Sequence, residues 1–300
     1  MSELNLAFGF TFEDLYDDSA LARVDAAFLQ HVGGVAPDLQ ASLVAAREAP
    51  DALEAKAEAD LLLELAPFVD AFTGELFGIA GALGTLSAQH LDLDVLYSCK
   101  RLFVQRRALK GKTADDANAL DAVALTARLS PMMGGTLTQM SFAQTVMGWV
   151  EDEDAHGDDI QAALDYALWA TLTDAGRKRH ETDVLFRQPA KLDPQNLVQV
   201  DATSVGGVDA VNFTSARRHP RDGFALTDQG CDLVGALDQA QYCVLCHDRG
   251  KDSCSHGLKD KKTGAFQKNS FGVELSGCPL EERISEMHTA KIAGHSVAAL

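Results

Sequence analysis

Four of the six cysteines lie within 36 residues near the C-terminal end, and they constrain their region more tightly than any other feature of the chain. They read Cys243-Val244-Leu245-Cys246, then Cys254, then Gly277-Cys278-Pro279. The turn in a C-x2-C pair aims both sulfurs the same way. Seven residues separate Cys246 from Cys254, few enough for a third sulfur to swing back, and twenty-three more precede Cys278. Soft thiolates at such separations suit iron–sulfur clusters, and in two-cluster ferredoxins the cysteine before proline serves the other cluster. Zinc takes the same four ligands in a tetrahedral site, with His247 and His256 as further donors. Spacing alone leaves both metals open.

The bulk numbers set the frame. Three hundred residues allow one large domain or two ordinary ones. A chain that is 46% hydrophobic and 23% charged can bury a sizeable core. With 26 basic and 44 acidic residues the net charge is −18, which disfavours nucleic acid and anionic membranes as partners. Met1–Leu6 has no basic region followed by an apolar run, and Leu61–Val69 is interrupted by Glu64 and stopped by Asp70. Neither a secretory signal nor a membrane span is expected. Clustered cysteines without a signal point to a reducing, cytoplasmic compartment, where metal binding is commoner than disulfides.

The expected fold class is mainly α. Residues 1–182 form a helical domain, 183–228 an extended linker or small β segment, and 229–300 a small α-helical, ferredoxin-like iron–sulfur domain that is incomplete. In the first part Thr11 and Asp14 resemble a cap, and Ser19 caps a helix stopped by Gly33-Gly34. Further helices are predicted at about 91–109, 113–129, 136–150 and 157–175. The last carries Ile160, Leu164, Leu168 and Leu172 on one face and runs into basic Arg177-Lys178-Arg179. Thr227 or Asp228 should cap a helix delivering the chain to Cys243 and Cys246. Residues 255–277 read as a loop, and Pro279 as the start of another helix.

The segment Ala236–Cys246, followed by Gly277-Cys278-Pro279-Leu280 and Ile284, resembles the N-terminal iron–sulfur domain of the glutamate synthase small subunit and of dihydropyrimidine dehydrogenase-like, FAD-dependent NAD(P)H oxidoreductases. The tail Ile292–Leu300 is similar to the helix that follows in that family. The resemblance covers about residues 230–300. It implies one [4Fe–4S] cluster on Cys243, Cys246 and Cys254, and a second on Cys278. It also implies electron transfer to a flavin domain or redox partner subunit. Three departures stand out: a longer Cys246–Cys254 spacing, about twenty extra residues before Cys278, and Ser285 where a proline often stands. The remaining ligands and the FAD- and NAD(P)H-binding halves would lie further downstream, so the chain reads as the N-terminal portion of a longer oxidoreductase without a complete active site. The alternative is a non-enzymatic helical interaction protein with a structural zinc site; either could oligomerise.

Other features have blander readings. Asp152–Asp159 resembles the start of an EF-hand loop, but Ala163 stands where the closing Glu is needed, so a solvated turn is expected. Cys99 reads as core, Cys231 as too far from Cys243 to join it, and His288 and His295 as surface histidines. Gly78–Gly84 reads as a turn or a close helix contact. Arg177–His180 and Arg217-Arg218-His219 with Arg221 are basic islands that could meet an acidic partner or a nucleotide phosphate. The basic loop Lys259–Lys268 could shield a cluster. No Ser/His/Asp arrangement supports a hydrolase.

Overall fold

The structure, a computed structural model, describes residues 5–189, 193–195, 197–198, 200–213, 222–228 and 230–300. It is mainly helical, with twelve α-helices and one two-stranded sheet among those residues. The island at Arg217, Arg218, His219 and Arg221 lies outside the described residues.

Thr11 and Asp14 do cap one another, Thr11 N–H to Asp14 Oδ2 at 2.7 Å, but around a short 3-10 turn at Glu13–Tyr16. Helix α1 spans Asp18–Val35, and its cap is Asp17, whose Oδ1 accepts the Ala20 N–H at 2.8 Å. It runs straight through Gly33-Gly34. Glycine in a helix only weakens it, whereas Pro37 cannot donate to the preceding turn, so Pro37 ends α1 and opens α2, Pro37–Glu48. Helix α3, Ala55–Leu76, carries Pro67 in its interior. Its C-terminal end stacks Phe72 on Phe8 and meets Phe28 edge-on, a small core closed by Phe10 and Leu76.

Helix α4, Ala80–Ser98, begins inside the Gly78–Gly84 stretch and flows into a π-helical stretch, Cys99–Ala108. There Cys99, Lys100, Phe103, Val104 and Ala108 are all buried. Instead of one helix over 113–129 there are two, α5 Ala114–Asn118 and α6 Ala122–Leu129, because Asp121 caps anew by accepting from Val123 and Ala124. Helices α7, Gln139–Glu151, and α8, Glu153–Leu172, follow with Asp152 as their joint, the solvated turn expected there. Thr173 then caps a separate α9, Asp174–Arg179, whose basic end suits its dipole.

Helix α8 is the axis of the main core. Nine of its residues are buried, including Tyr166 and Trp169, and its Ala162, Ala163, Ala167 and Ala170 let α6, α7 and the π-helical stretch approach closely. Phe142 sits at the centre, with Phe103, Tyr166 and Phe186 rings 5.3–6.3 Å away. Val184, Leu185 and Phe186, at the start of the expected linker, are buried in this core. Gln139 Oε1 fastens Val184 and Leu185 by accepting their backbone N–H groups at 2.9 and 3.3 Å. Beyond lies an exposed antiparallel hairpin, β1 Val200–Val205 with β2 Val208–Phe213, turned by Gly206-Gly207. Both glycines have positive φ, as such a turn demands.

Residues 230–300 supply three short helices, α10 Leu233–Ala240, α11 Ser253–His256 and α12 Ile284–Ile292. They do not show a ferredoxin-like iron–sulfur domain. Instead α10 packs on α4 and α12 packs on α3. Asp232, not Thr227 or Asp228, caps α10 by accepting the Gly235 N–H at 2.7 Å. Pro279 sits in a turn rather than in a helix; α12 begins five residues later. No helix among the described residues is long and apolar enough to cross a membrane.

Candidate functional site

The cysteine segment is anchored before it reaches its first thiol. Helix α10 turns Asp238 into the core, where its Oδ1 meets Lys100 Nζ at 2.5 Å and its Oδ2 meets Arg187 Nη2 at 3.1 Å. Lys100 also donates to Tyr242 Oη at 2.9 Å, and Tyr97 Oη donates to the Val234 carbonyl at 2.5 Å. Burial, with Asp238 and Asp232 nearby, pushes the Tyr97 hydroxyl upward, so it stays a donor.

The chain then leaves the helix before Cys243. Leu245 takes the left-handed region at φ +49°, a conformation costing a side-chain-bearing residue about 1–2 kcal/mol, and this reverses the chain into the 3-10 turn Cys246–Arg249. Cys246 is buried and its Sγ accepts the Ser253 N–H at 3.4 Å. Asp252 caps α11, which carries Cys254 on its exposed side. Residues 258–275 close on themselves through paired backbone bonds, Leu258 N–H to Leu275 O at 2.9 Å and Leu275 N–H to Gln267 O at 2.8 Å. That excursion returns Cys278 beside Cys254, with the Cys278 N–H donating to the Cys254 carbonyl at 2.8 Å. Two glycines make the approach possible. A Cβ on Gly277, at φ +95°, would lie 2.1 Å from the Ser255 carbonyl oxygen, and one on Gly257 would lie 2.5 Å from that of Leu275.

Ser285 is the hub beneath this loop. It is fully buried at the start of α12, and its Oγ meets Cys243 Sγ at 3.9 Å and His247 Nδ1 at 2.5 Å. A proline here could make neither bond. His247 is buried, and its other nitrogen faces Asp248 at 3.3 Å, so neither nitrogen is free for zinc; His256 is exposed on α11. Burial and the neighbouring Cys246 and Cys243 raise the Cys254 thiol, with Asp252 and Glu286 adding to the effect. The four cysteines thus share one region, but no three Cys, His, Asp or Glu side chains among the described residues are placed to hold a metal ion. Cys99 is core, its thiol pushed by burial up to about 12. Cys231 is exposed, before α10. His288 is part-buried rather than on the surface: its Nδ1 is enclosed without a partner, and desolvation lowers its pKa.

An apolar-walled concavity lies on the other side of α12. A groove of about 650 Å³ runs between α3 and the segment 282–300, walled by Leu62, Leu65, Ala66, Val69, Ile284 and Met287. Leu62 belongs to the apolar face of α3 yet stays exposed there. Two arginines reach the groove, and both are already paired. Arg47 forks onto Asp25 with two 2.8 Å bonds, and Arg283 meets Glu58 at 2.6 Å and Asp252 at 3.6 Å. Glu286 lines the groove at 5% exposure, and its Oε2 is buried with no hydrogen-bond partner. Pro67 has no N–H to give the carbonyl of Leu63, another lining residue. Nothing in the cysteine spacing pointed to this groove; an acid on the apolar side of an amphipathic segment, with proline inside the facing helix, was the available signal.

A second buried polar chain also escaped the reading of the sequence. Tyr166 Oη lies 2.9 Å from His180 Nε2, and His180 Nδ1 lies 2.5 Å from Asp183. Asp183 accepts the Nδ1–H hydrogen bond, which leaves Nε2 to accept from the tyrosine. The three-residue His180–Asp183 spacing is visible in the sequence, whereas the meeting of His180 with Tyr166 depends on the packing of α8.

Comparison with known proteins overturns the resemblance to the glutamate synthase small subunit. Residues 6–78 match the family model described as "RP005 N-terminal alpha-helical domain". The chain is also similar to "Uncharacterized protein RP005" of Rickettsia prowazekii (strain Madrid E), 28% identical over 301 aligned residues that cover 96% of this chain and 98% of that protein. Neither match is described as an iron–sulfur or glutamate synthase protein, and no solved structure matches. With no metal-holding arrangement among the described residues and no iron–sulfur family matched, the iron–sulfur oxidoreductase reading is set aside. What the comparisons support is likeness to RP005: its helical domain over α1–α3, and the Rickettsia protein along nearly the whole chain.

Proposed function

We propose that this protein binds a small amphipathic amine in the groove between α3 and α12. The apolar tail lies along Leu62, Leu65, Val69, Ile284 and Met287, and the ammonium head sits at Glu286. The observation that carries this reading is Glu286: a buried residue that lines an apolar groove and whose Oε2 is enclosed without a partner. A polar group enclosed without a hydrogen bond costs folding free energy, and a carboxylate far more than a neutral group, so the site gains most from a ligand that brings a charged donor. The pairing of Arg47 and Arg283 with their own carboxylates argues the same way, since no unpaired guanidinium is left to attract an anion. Exposed Glu282 adds negative charge at the rim. A volume of 650 Å³ is ample for such a ligand.

Titration calorimetry with octylamine, octanol and octanoate tests the reading. Octylamine should bind saturably and most tightly, and Glu286→Gln should weaken it about tenfold or more, the loss of one charged pair worth about 1.4 kcal/mol. Equal binding of octanoate, or an unchanged affinity in the folded Glu286→Gln protein, would refute it.

A further inference from the structure

A second cavity, of about 450 Å³, lies between the end of α8, α9 and the segment 186–189, away from the groove. Its apolar wall is Leu172, Phe186 and Pro189. Two of its lining side chains carry polar atoms that are buried and have no hydrogen-bond partner: Thr171 Oγ1, on a residue 3% exposed, and Gln188 Nε2. Native folds leave few such atoms unpaired, and two lining one cavity mark a place where a ligand supplies the missing partner. Both can donate, so the ligand must accept.

Charge supports the same conclusion. Arg187 lines this cavity and touches Asp238 through one nitrogen, while Asp238 is already matched by buried Lys100. Two cations therefore share one carboxylate, and the surplus positive charge resides on Arg187, whose side chain is 46% exposed. Arg177 is occupied by Asp174 and the Thr171 and Leu172 carbonyls, and so closes the end of the cavity rather than adding free charge. Glu181 is exposed at the rim, and His180 has both nitrogens engaged by Tyr166 and Asp183.

We infer that this cavity is a binding site for a small organic carboxylate: the carboxylate is received by Arg187, Thr171 and Gln188, and its apolar body lies against Phe186, Leu172 and Pro189. The site is independent of the amine groove and stands or falls without it.

The probe is benzoate, with uncharged benzyl alcohol as its control. Trp169 packs 6.5 Å from His180, so its fluorescence in a Trp149→Phe protein reports occupancy, and equilibrium dialysis of the unaltered protein checks it. Benzoate should saturate the site below about 10 mM and bind at least about tenfold more tightly than benzyl alcohol. Arg187→Gln, which can still donate to Asp238, should abolish that preference. Thr171→Val, which removes an unpaired hydroxyl at nearly constant shape, should raise the melting temperature of the ligand-free protein while weakening benzoate binding. Glu286→Gln should bind benzoate as the unaltered protein does. Absence of saturable benzoate binding, equal binding of benzyl alcohol, or a Thr171→Val protein that binds benzoate undiminished would each overturn the assignment.

Discussion

Replacing Lys100 by methionine tests how the cysteine segment is held to the helical body. The Lys100–Asp238 pair is almost wholly enclosed, with side-chain exposures of 4% and 1%. Removing one member of such a pair leaves an uncompensated buried charge and costs about 3–5 kcal/mol. In Lys100→Met the orphan is Asp238, but Arg187 still reaches it at 3.1 Å, which places the cost near the lower bound, about 3 kcal/mol. In Asp238→Leu the orphan is Lys100, left with only the Tyr242 hydroxyl at 2.9 Å and the Tyr242 ring face, so the cost moves to the upper bound, about 5 kcal/mol. At roughly 2 °C per kcal/mol for a chain of this size, the melting temperature falls by about 6 °C and about 10 °C respectively. The double variant, apolar at both positions, should recover most of either loss, because the desolvation of two charges goes with them. Calorimetric melts and urea titrations of the four proteins close the cycle. A Lys100→Met protein within about 1 kcal/mol of the parent, or a double variant worse than both singles, would refute the argument.

Three further outcomes are expected. Burial pushes the Tyr166 hydroxyl up to about 12, above its ordinary value of about 10, so its contribution is intact below pH 10 and is lost as the pH rises through 12; ultraviolet titration should show two tyrosines, Tyr97 and Tyr166, ionising late, and Tyr166→Phe should remove one of them. Gly277→Ala forces both a left-handed backbone and a clash with the Ser255 carbonyl, and should cost at least about 2 kcal/mol, whereas Gly264→Ala, with open space around its Cβ, should cost less; urea melts compare them. Cys254 should react slowly with iodoacetamide at pH 8, because burial first and its acidic neighbours second raise its thiol; a rate equal to that of a free thiol would sink that account.

Much of the architecture could be read from the sequence, because helices announce themselves through local chemistry. The apolar spacing of Ile160, Leu164 and Leu168 belongs to one turn after another of α8, whereas the caps at Asp121, Thr173 and Asp232 were missed although each works through atoms two or three residues away. Boundaries slipped where two local signals competed, as when Gly33-Gly34 looked like a stop and Pro37 was the real one. The cysteine pattern also told the truth about neighbourhood: the chain does return Cys254 and Cys278 to the same loop.

What spacing could not decide was whether the four sulfurs converge. That depends on side-chain direction, set by the left-handed Leu245, by the Gly277 contact and by Ser285, a residue 42 positions from the thiol it touches. The same holds for the sites this structure suggests. Lys100 and Asp238 are 138 residues apart, Arg283 and Glu58 are 225 apart, and the two cavities are made by elements that meet only when the chain is folded. Sequence by itself determined most of the helices, which depend on neighbours along the chain, and the acidic net charge, which depends on composition alone. Only the tertiary structure decided which buried polar groups found partners and which, like Glu286 and Thr171, were left without one, because satisfaction is a property of the three-dimensional surroundings.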